Sequence, residues 1–189
     1  MKILSGRHPE NLYADRLAPQ APEYCDIFMH LPLLRHYAAK CSHVTEFGVR
    51  TGNSRIAILC GLMDAGGGEL VGYDINTDVF PRDWPELDGV RQTLHKADTA
   101  KLESIEPTDL LFIDSCHQTE HIRAELTFAK SVRRWIIMHD TSADWSRLGG
   151  PGPITARDEF LSENHEEWAL TYCTQKCEGL SILTRRNQT

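Results

Sequence analysis

Residues 44–54 read Val-Thr-Glu-Phe-Gly-Val-Arg-Thr-Gly-Asn-Ser, and this stretch decides the fold. It begins as a short apolar strand, turns at two glycines and leads into a helical pattern over residues 53–62. Glycines let the backbone turn sharply and approach a ligand closely, and the helix behind them presents free N–H groups. The pattern predicts a strand–loop–helix unit that can hold a ligand, although a plain packing turn would use the same residues.

Short apolar stretches alternate with helical patterns along the rest of the chain. Four further strands are predicted at residues 70–74, 90–95, 109–114 and 134–139. Strands that alternate with helices require right-handed crossovers and favour a parallel sheet. Two last apolar stretches, 168–172 and 180–183, are joined by a short glycine-containing turn and predict an antiparallel hairpin. The fold class is therefore α/β, with a mostly parallel sheet that ends in a hairpin.

The chain length of 189 residues fits one domain, residues 1–189. We expect residues 1–40 to form an N-terminal arm and helix, and residues 41–189 to form the core. The first 20 residues are polar and predict a loose arm, whereas apolar spacing predicts a helix over 23–39, interrupted or kinked at Pro32.

The net charge and the cysteine content limit the classes of protein to which the chain could belong. The formal net charge of −7 opposes the binding of nucleic acid phosphates. No signal-peptide pattern or membrane-spanning apolar stretch is recognisable, which favours a cytoplasmic location away from the membrane. The six cysteines contain no Cys-x-x-Cys pair and are interpreted as reduced thiols, although a disulfide between Cys173 and Cys177 stays open.

Acidic side chains follow most of the predicted parallel strands. Asp74 ends the second strand, Asp98 follows the third, and Asp114 and Asp140 follow the fourth and fifth. Ligands of open α/β sheets bind outside the carboxyl ends of the strands, so these residues predict a single site. Asp74 can accept hydrogen bonds from both ribose hydroxyls of a nucleoside, and Asp98 suits an adenine edge. Asp74, Asp98 and Asp114 could each instead cap the helix that follows.

The loop and Asp74 together resemble a known family. Glu-Phe-Gly-x-x-x-Gly-x-Ser followed by Gly-Tyr-Asp is similar to the first two motifs of class I S-adenosylmethionine-dependent methyltransferases. Dinucleotide-binding loops carry a glycine where Arg50 stands, which argues against them. The resemblance implies a Rossmann-like three-layer sandwich with a seven-stranded sheet. It also implies cofactor contacts from Glu46, Gly48, Gly52, Ser54, Asp74, Asp98, Thr99 and Asp114.

Two later motifs resemble the small metal-linked O-methyltransferases, in particular their macrocin and cephalosporin-hydroxylase-like branch. These motifs are Asp-Ser-Cys-His at 114–117 and His-Asp at 139–140. The resemblance implies that Asp114 and Asp140 bind a divalent cation such as Mg²⁺, which favours carboxylate oxygens and acidifies a bound hydroxyl. His139 either joins them as a ligand or orients Asp140. His117 is the expected general base.

The expected reaction is O-methylation of a small-molecule hydroxyl, with an acceptor pocket shaped by the N-terminal forty residues and the loop 142–153. Two alternatives stay open. His117 and His121 are spaced i, i+4 and could join the aspartates in a zinc or iron hydrolase or oxygenase. A non-catalytic nucleoside-binding protein would need Asp74 but not the metal set. The sequence leaves a homo-oligomer equally open.

Overall fold

A mixed β-sheet forms the centre of the molecule. The computed structural model describes residues 3–17, 26–82, 84–142 and 152–186. In chain order the strands are β1 Ile3–Ser5, β2 His43–Phe47, β3 Gly68–Asp74, β4 Glu86–Leu87, β5 Val90–Lys96, β6 Thr108–Ile113, β7 Val132–His139, β8 Trp168–Thr174 and β9 Leu180–Arg185. The α-helices are α1 Pro9–Leu17, α2 Leu31–Ala38, α3 Asn53–Asp64, α4 Thr119–Leu126 and α5 Gly152–Glu163.

The strands lie in the order β1-β4-β5-β3-β2-β6-β7-β9-β8. The five strands from β5 to β7 are parallel to one another. The hairpin of β8 and β9 adds to β7 in antiparallel orientation. The predicted α/β sheet with its C-terminal hairpin is therefore confirmed. Two short antiparallel strands, β1 and β4, extend the opposite edge beyond the seven predicted strands.

Helices cover both faces of the sheet. The helices α1 to α3 contribute to a core on one face, and α4 and α5 contribute to a core on the other. Successive residues of β6 alternate between them: Leu110 and Phe112 belong to the first core, Leu111 and Ile113 to the second. This alternation follows from the two-residue period of a strand. A strand buried on both faces needs the continuous apolar run found there.

The N-terminal segment differs from the expectation. The prediction of a loose arm over residues 1–20 is wrong for residues 3–17, which form β1 and α1. The predicted helix 23–39 is also shorter, because a 3₁₀ turn at Phe28–His30 precedes α2. Pro32 lies in the first turn of α2, where its missing N–H would have no helical partner, so it begins the helix rather than kinking it.

Several expectations fall partly outside the described residues. One of them is the acceptor pocket expected at the loop 142–153, because residues 143–151 lie outside the described ranges. Cys173 and Cys177 both carry free thiols, so no disulfide joins them. None of the helices in the described ranges is long and apolar enough to cross a membrane.

Asp109 ties the beginning of β6 to the beginning of β2. Its Oδ2 atom accepts hydrogen bonds from the backbone N–H groups of Ser42 and His43, at 2.8 and 3.1 Å, and from the Ser42 hydroxyl at 2.8 Å. Its Oδ1 atom accepts one from Arg133 at 3.2 Å. Burial alone would raise the pKa of Asp109, but these donors lower it below its ordinary value.

We expect Asp109→Asn to destabilise the protein by about 1–3 kcal/mol at pH 7, because the hydrogen bonds lose a charged acceptor. A carboxyl group whose pKa is lower in the folded state contributes stability above its unfolded pKa of about 3.9. That contribution disappears as the pH falls through the folded pKa. Urea denaturation from pH 7 to pH 3 should therefore show the two proteins converging in acid.

The matched control is Asp78→Asn, because the Asp78 side chain is 81% exposed. This variant should unfold like the parent at each pH. An Asp109→Asn variant with unchanged stability at pH 7 would contradict the assignment.

Candidate active site

The loop between β2 and α3 depends on two glycines in the left-handed region. Gly48 has a φ of 83° and Gly52 a φ of 81°. A Cβ atom on Gly48 would lie 1.9 Å from the backbone oxygen of Asp114, and one on Gly52 would lie 2.6 Å from the Trp84 ring. The loop is therefore pressed against the end of β6 on one side, and only glycine fits at that contact.

Asp74 fastens this loop to the end of β3. Its Oδ2 atom accepts the N–H groups of Val49 and Arg50 at 2.8 and 2.7 Å, and its Oδ1 atom accepts the N–H of Asn76 at 2.8 Å. A carboxylate offers about four lone-pair sites. These contacts use three of them, so a ribose could gain only one hydroxyl contact at Asp74 without opening a contact to the loop.

A cavity of about 410 Å³ lies beside the loop at the carboxyl ends of the parallel strands. Such a volume is typical of small-molecule sites. Five of the predicted cofactor residues line it, namely Gly48, Asp74, Asp98, Thr99 and Asp114. Asp98 also caps the 3₁₀ turn after β5 through the N–H of Ala100 and pairs with Lys101 at 2.6 Å. Both interpretations of Asp98, capping and ligand contact, are thus compatible with its position.

A second cavity of about 240 Å³ adjoins the first and shares Gly48 and Asp114 with it. Ser54, His117 and Asp140 also line this second cavity. The two cavities therefore meet at the loop and at the end of β6. A ligand that filled both would extend from the Asp98 side to the histidine and aspartate side.

Asp114, His117 and Asp140 form a cluster in which one donor atom from each residue lies within 4.8 Å of the others. His117 Nε2 lies 2.5 Å from Asp140 Oδ2. Asp140 has a φ of 58°, an uncommon conformation for a residue other than glycine and one that often marks a functional position. Burial would lower the pKa of His117, but the hydrogen bond to Asp140 raises it above its ordinary value. Burial would raise the pKa of Asp140, but His117 and His139 hold it well below its usual range.

The contacts of His139 favour the orienting role over the metal-ligand role, both of which the sequence left open. Its Nε2 atom lies 3.1 Å from the backbone oxygen of Cys177, and its Nδ1 atom lies 3.3 Å from oxygens of Asp114 and Asp140. Carbonyl and carboxylate oxygens only accept, so both ring nitrogens donate and neither keeps a lone pair for a metal. Burial would lower the pKa of His139, but the bonds to the two aspartates raise it to about 11. His139 thus lies where it can orient both carboxylates, and His117 lies in the cluster with them. The metal-binding roles of Asp114, Asp140 and His139 and the base role of His117 stay predictions.

A buried carboxylate that the sequence analysis missed supports the first cavity. Glu125 Oε1 accepts hydrogen bonds from Thr99 at 2.5 Å and Ser115 at 2.6 Å, and His121 Nε2 lies 3.2 Å from it. Glu125 is fully buried in α4. The sequence feature that could have identified it is an acidic residue on the apolar face of that helix. Because His121 contacts Thr99 and Glu125, it is not part of the Asp114 cluster, and the i, i+4 histidine site loses its second imidazole.

Glu46 lies beneath the loop and outside the lining of either cavity among the described residues. Its carboxylate is completely buried, accepts the Ser54 hydroxyl at 2.6 Å and pairs with Arg55 at 3.2 Å. Burial raises the pKa of Glu46, while Arg55 and Ser54 oppose that shift. The predicted contact between Glu46 and a cofactor stays a prediction, and the geometry gives this side chain a supporting position.

Comparison with known proteins identifies the family of the chain and agrees with the fold. The sequence profile of a methyltransferase domain family matches residues 45–141, just over half of the chain. The chain belongs to this methyltransferase domain family, and its fold is that of class I S-adenosylmethionine-dependent methyltransferases. A search of curated proteins finds no significant match.

Solved structures share the fold at low sequence identity. An O-methyltransferase from Bacillus cereus in complex with SAH is 17% identical, with a TM-score of 0.62 and coverage of 94% of this chain and 90% of that one. TomG from Streptomyces achromogenes, in complex with SAM, is 15% identical, with a TM-score of 0.55 and coverage of 97% and 92%. MycE from the mycinamycin pathway, with Mg, SAH and mycinamycin VI, is 15% identical, with a TM-score of 0.61 and coverage of 97% and 54%.

We expect Gly48→Ala to destabilise the protein by at least about 2 kcal/mol more than Gly66→Ala, because only Gly48 faces a backbone oxygen. Gly66 is the matched control: its φ of 89° imposes the same left-handed strain, but nothing lies within 4 Å of the Cβ position. Urea denaturation of the two variants measures the difference. Equal losses of stability would show that the close approach of the loop to Asp114 is absent.

Proposed function

We propose that this protein is an S-adenosylmethionine-dependent O-methyltransferase that acts on a small-molecule hydroxyl with the help of a divalent cation. The observation that carries the proposal is the shared position of Asp114. This residue belongs both to the cavity beside the glycine loop and to the cluster with His117 and Asp140. A nucleoside bound in this cavity and a metal ion bound in the cluster would therefore be neighbours.

Two observations support the binding of a nucleoside cofactor in the first cavity. Gly48 lines this cavity and has no side chain to project into it, so the backbone can approach a ligand there. Asp74 retains one acceptor site for a ribose hydroxyl, and Asp98 and Thr99 lie farther along the same cavity for the adenine. The methionine end would extend into the second cavity past Ser54. S-adenosylmethionine would supply an electrophilic methyl group on a positively charged sulfur.

The charges around the second cavity suit the positively charged sulfonium group of S-adenosylmethionine. Asp26, Asp114 and Asp140 all line it. Burial raises the pKa of Asp26, and the nearby Asp114 raises it further, as expected where several carboxylates share one cavity. Carboxylates close to the sulfur would favour binding of the positively charged cofactor over its neutral product.

The donor set of Asp114, His117 and Asp140 fits a divalent cation with mixed oxygen and nitrogen preference. Two carboxylates suit Mg²⁺ or Mn²⁺, and an imidazole makes Mn²⁺ and other transition metals good candidates as well. A bound cation would lower the pKa of an acceptor hydroxyl. His139 donates to both carboxylates and would hold them in place. His117 is either the third ligand or the base that takes the hydroxyl proton.

The acidic net charge argues against a nucleic acid acceptor, and we propose a small hydroxylated molecule. A cytoplasmic location is included in the proposal, and it agrees with the free thiols of the described cysteines.

Calorimetry with S-adenosylmethionine and SAH tests the cofactor assignment. We expect the parent protein to bind both, and Asp74→Ala to bind them at least tenfold more weakly, because it loses a ribose acceptor and the fastening of the loop. Asp78→Ala is the control, since this exposed aspartate pairs only with Lys96 in the described structure. A parent protein that binds neither ligand, or an Asp74→Ala variant with unchanged affinity, would refute the cofactor assignment.

Mn²⁺ binding, followed by electron paramagnetic resonance, tests the metal assignment. We expect Asp140→Ala to lose most of the binding, because two of the three ligands are carboxylates. His117→Gln distinguishes its two roles: a ligand would weaken Mn²⁺ binding, whereas a base would leave it intact and reduce methyl transfer by roughly 10²–10⁴.

Asp158→Ala is the control for this experiment, because that residue contacts only Arg157 on α5 in the described structure. Unchanged Mn²⁺ affinity in Asp140→Ala would remove the metal from the proposal. A protein that binds the nucleoside but neither binds a cation nor transfers a methyl group would be better described as the non-catalytic binder.

A further inference from the structure

A second cluster of possible metal ligands lies at the opposite edge of the sheet, where the parallel strands begin. His43 is the first residue of β2 and pairs in register with Glu69 of β3. Glu106 lies two residues before β6. His43 Nε2 is 3.8 Å from Glu69 Oε2 and 3.8 Å from Glu106 Oε2. One donor atom from each of the three residues lies within 4.8 Å of the others.

The imidazole of His43 is buried without a hydrogen-bond partner. Only 10% of its side chain is exposed. Neither Nδ1 nor Nε2 makes a hydrogen bond to any residue that the structure describes. Buried polar atoms are nearly always paired, because leaving one unpaired costs free energy. The orphaned nitrogens, next to two carboxylates, indicate that a ligand completes this arrangement.

The backbone around His43 is held on both sides. Asp109 accepts the N–H of His43 at 3.1 Å, and Thr108 donates its hydroxyl to the His43 carbonyl oxygen at 3.1 Å. The strand also continues into a regular parallel ladder with β3. A ligand residue on such a rigid element keeps its position before the metal binds.

We propose that His43, Glu69 and Glu106 bind a divalent transition-metal ion and that Zn²⁺ fits this donor set best. Zinc takes histidine nitrogen and carboxylate oxygen at about 2.0–2.2 Å, which puts the donors of a tetrahedral site roughly 3.4 Å apart. The two separations of 3.8 Å from His43 Nε2 need to shrink by only a few tenths of an ångström, and the two carboxylate donors, within 4.8 Å of each other, need to approach as well. Glu106 can supply this movement because its side chain is 75% exposed. Two carboxylates would neutralise the ion, and water could take the fourth position.

Two arginine side chains lie near the cluster, and a metal ion would have to displace one of them. Arg91 donates to Glu69 Oε2 at 2.6 Å, and its side chain is 74% exposed. Arg133 lies near His43 but is already paired with Asp109. The ion would therefore compete with Arg91 for one oxygen of Glu69. Removing Arg91 should strengthen metal binding, an effect that a simple cluster of ion pairs would not produce.

The site does not depend on the proposed methyltransferase activity. It lies at the amino ends of the strands, whereas Asp74 and Asp114 follow the carboxyl ends. A bound ion would link the beginnings of β2 and β3 with the segment before β6. Because such an ion binds only the folded chain, it would stabilise the fold.

The experiment uses the full chain with Asp140→Ala, which removes a carboxylate of the other cluster. Zn²⁺ affinity is measured at pH 7.5 by competition with a chromogenic chelator, and the visible absorption of Co²⁺ reports the coordination. We expect one Zn²⁺ per chain, an affinity at least tenfold lower with His43→Gln or Glu106→Gln, and a higher affinity with Arg91→Ala.

The matched control is His165→Gln, because His165 also lies beside a glutamate, Glu166, at 3.1 Å but on an exposed surface. Its Zn²⁺ affinity should equal that of the parent. Glu106→Gln separates the loss of a metal ligand from misfolding. Because this residue is exposed, the variant should have the same melting temperature as the parent in the absence of zinc. The proposal would be overturned if the parent binds no Zn²⁺, or if His43→Gln and Glu106→Gln bind it as tightly as the parent does. Unchanged or weaker binding in Arg91→Ala would also overturn it.

Discussion

Glu46 carries a carboxylate that no solvent reaches, and its two oxygens are held by residues of α3. Ser54 donates to one oxygen and Arg55 to the other. Arg55 also donates to the backbone oxygens of Leu70 in β3 and Thr93 in β5. This network joins α3 to three adjacent strands of the sheet. A buried charge that loses its partner typically costs 3–5 kcal/mol, so the two ends of the glycine loop are fixed by a strong constraint.

The geometry of the candidate site follows from this constraint. The chain passes from β2 to β3 and β5 on one side, and then to β6 and β7 on the other. The neighbouring strands β2 and β6 therefore leave a crevice at their carboxyl ends. Gly48 lies in this crevice against Asp114, and Asp74 fastens the loop from the side of β3. The cavity and the Asp114 cluster meet there because both are built from the ends of adjacent parallel strands.

Much of the fold could be predicted because its signals are local. The continuous apolar run of β6 and the glycine turn before α3 identify their elements without tertiary information. Strand β1 could not be predicted, because three residues form a strand only when β4 lies beside them. The order of acidic strand ends also placed Asp74 and Asp114 at one edge.

The details of the site were less predictable, because they depend on side-chain direction. His117 and His139 are both plausible ligands in the sequence, and the difference between them comes from three-dimensional contacts. The Cys177 carbonyl, 38 residues away in the chain, accepts a hydrogen bond from His139 Nε2, so this nitrogen has no lone pair for a metal. The positive φ of Asp140 turns the end of β7 toward His117. Glu125 was missed for the same reason, since its partners come from other segments.

A crystal structure of the protein with SAH and Mn²⁺ tests the central claim most directly, because anomalous scattering locates the ion independently of the ligand. We expect the adenosine in the cavity beside Asp74 and Asp98, and the Mn²⁺ signal between Asp114, His117 and Asp140. The ligand should leave His139 bonded to the Cys177 carbonyl. SAH bound away from the glycine loop, or Mn²⁺ coordinated by His139 in place of His117, would contradict it.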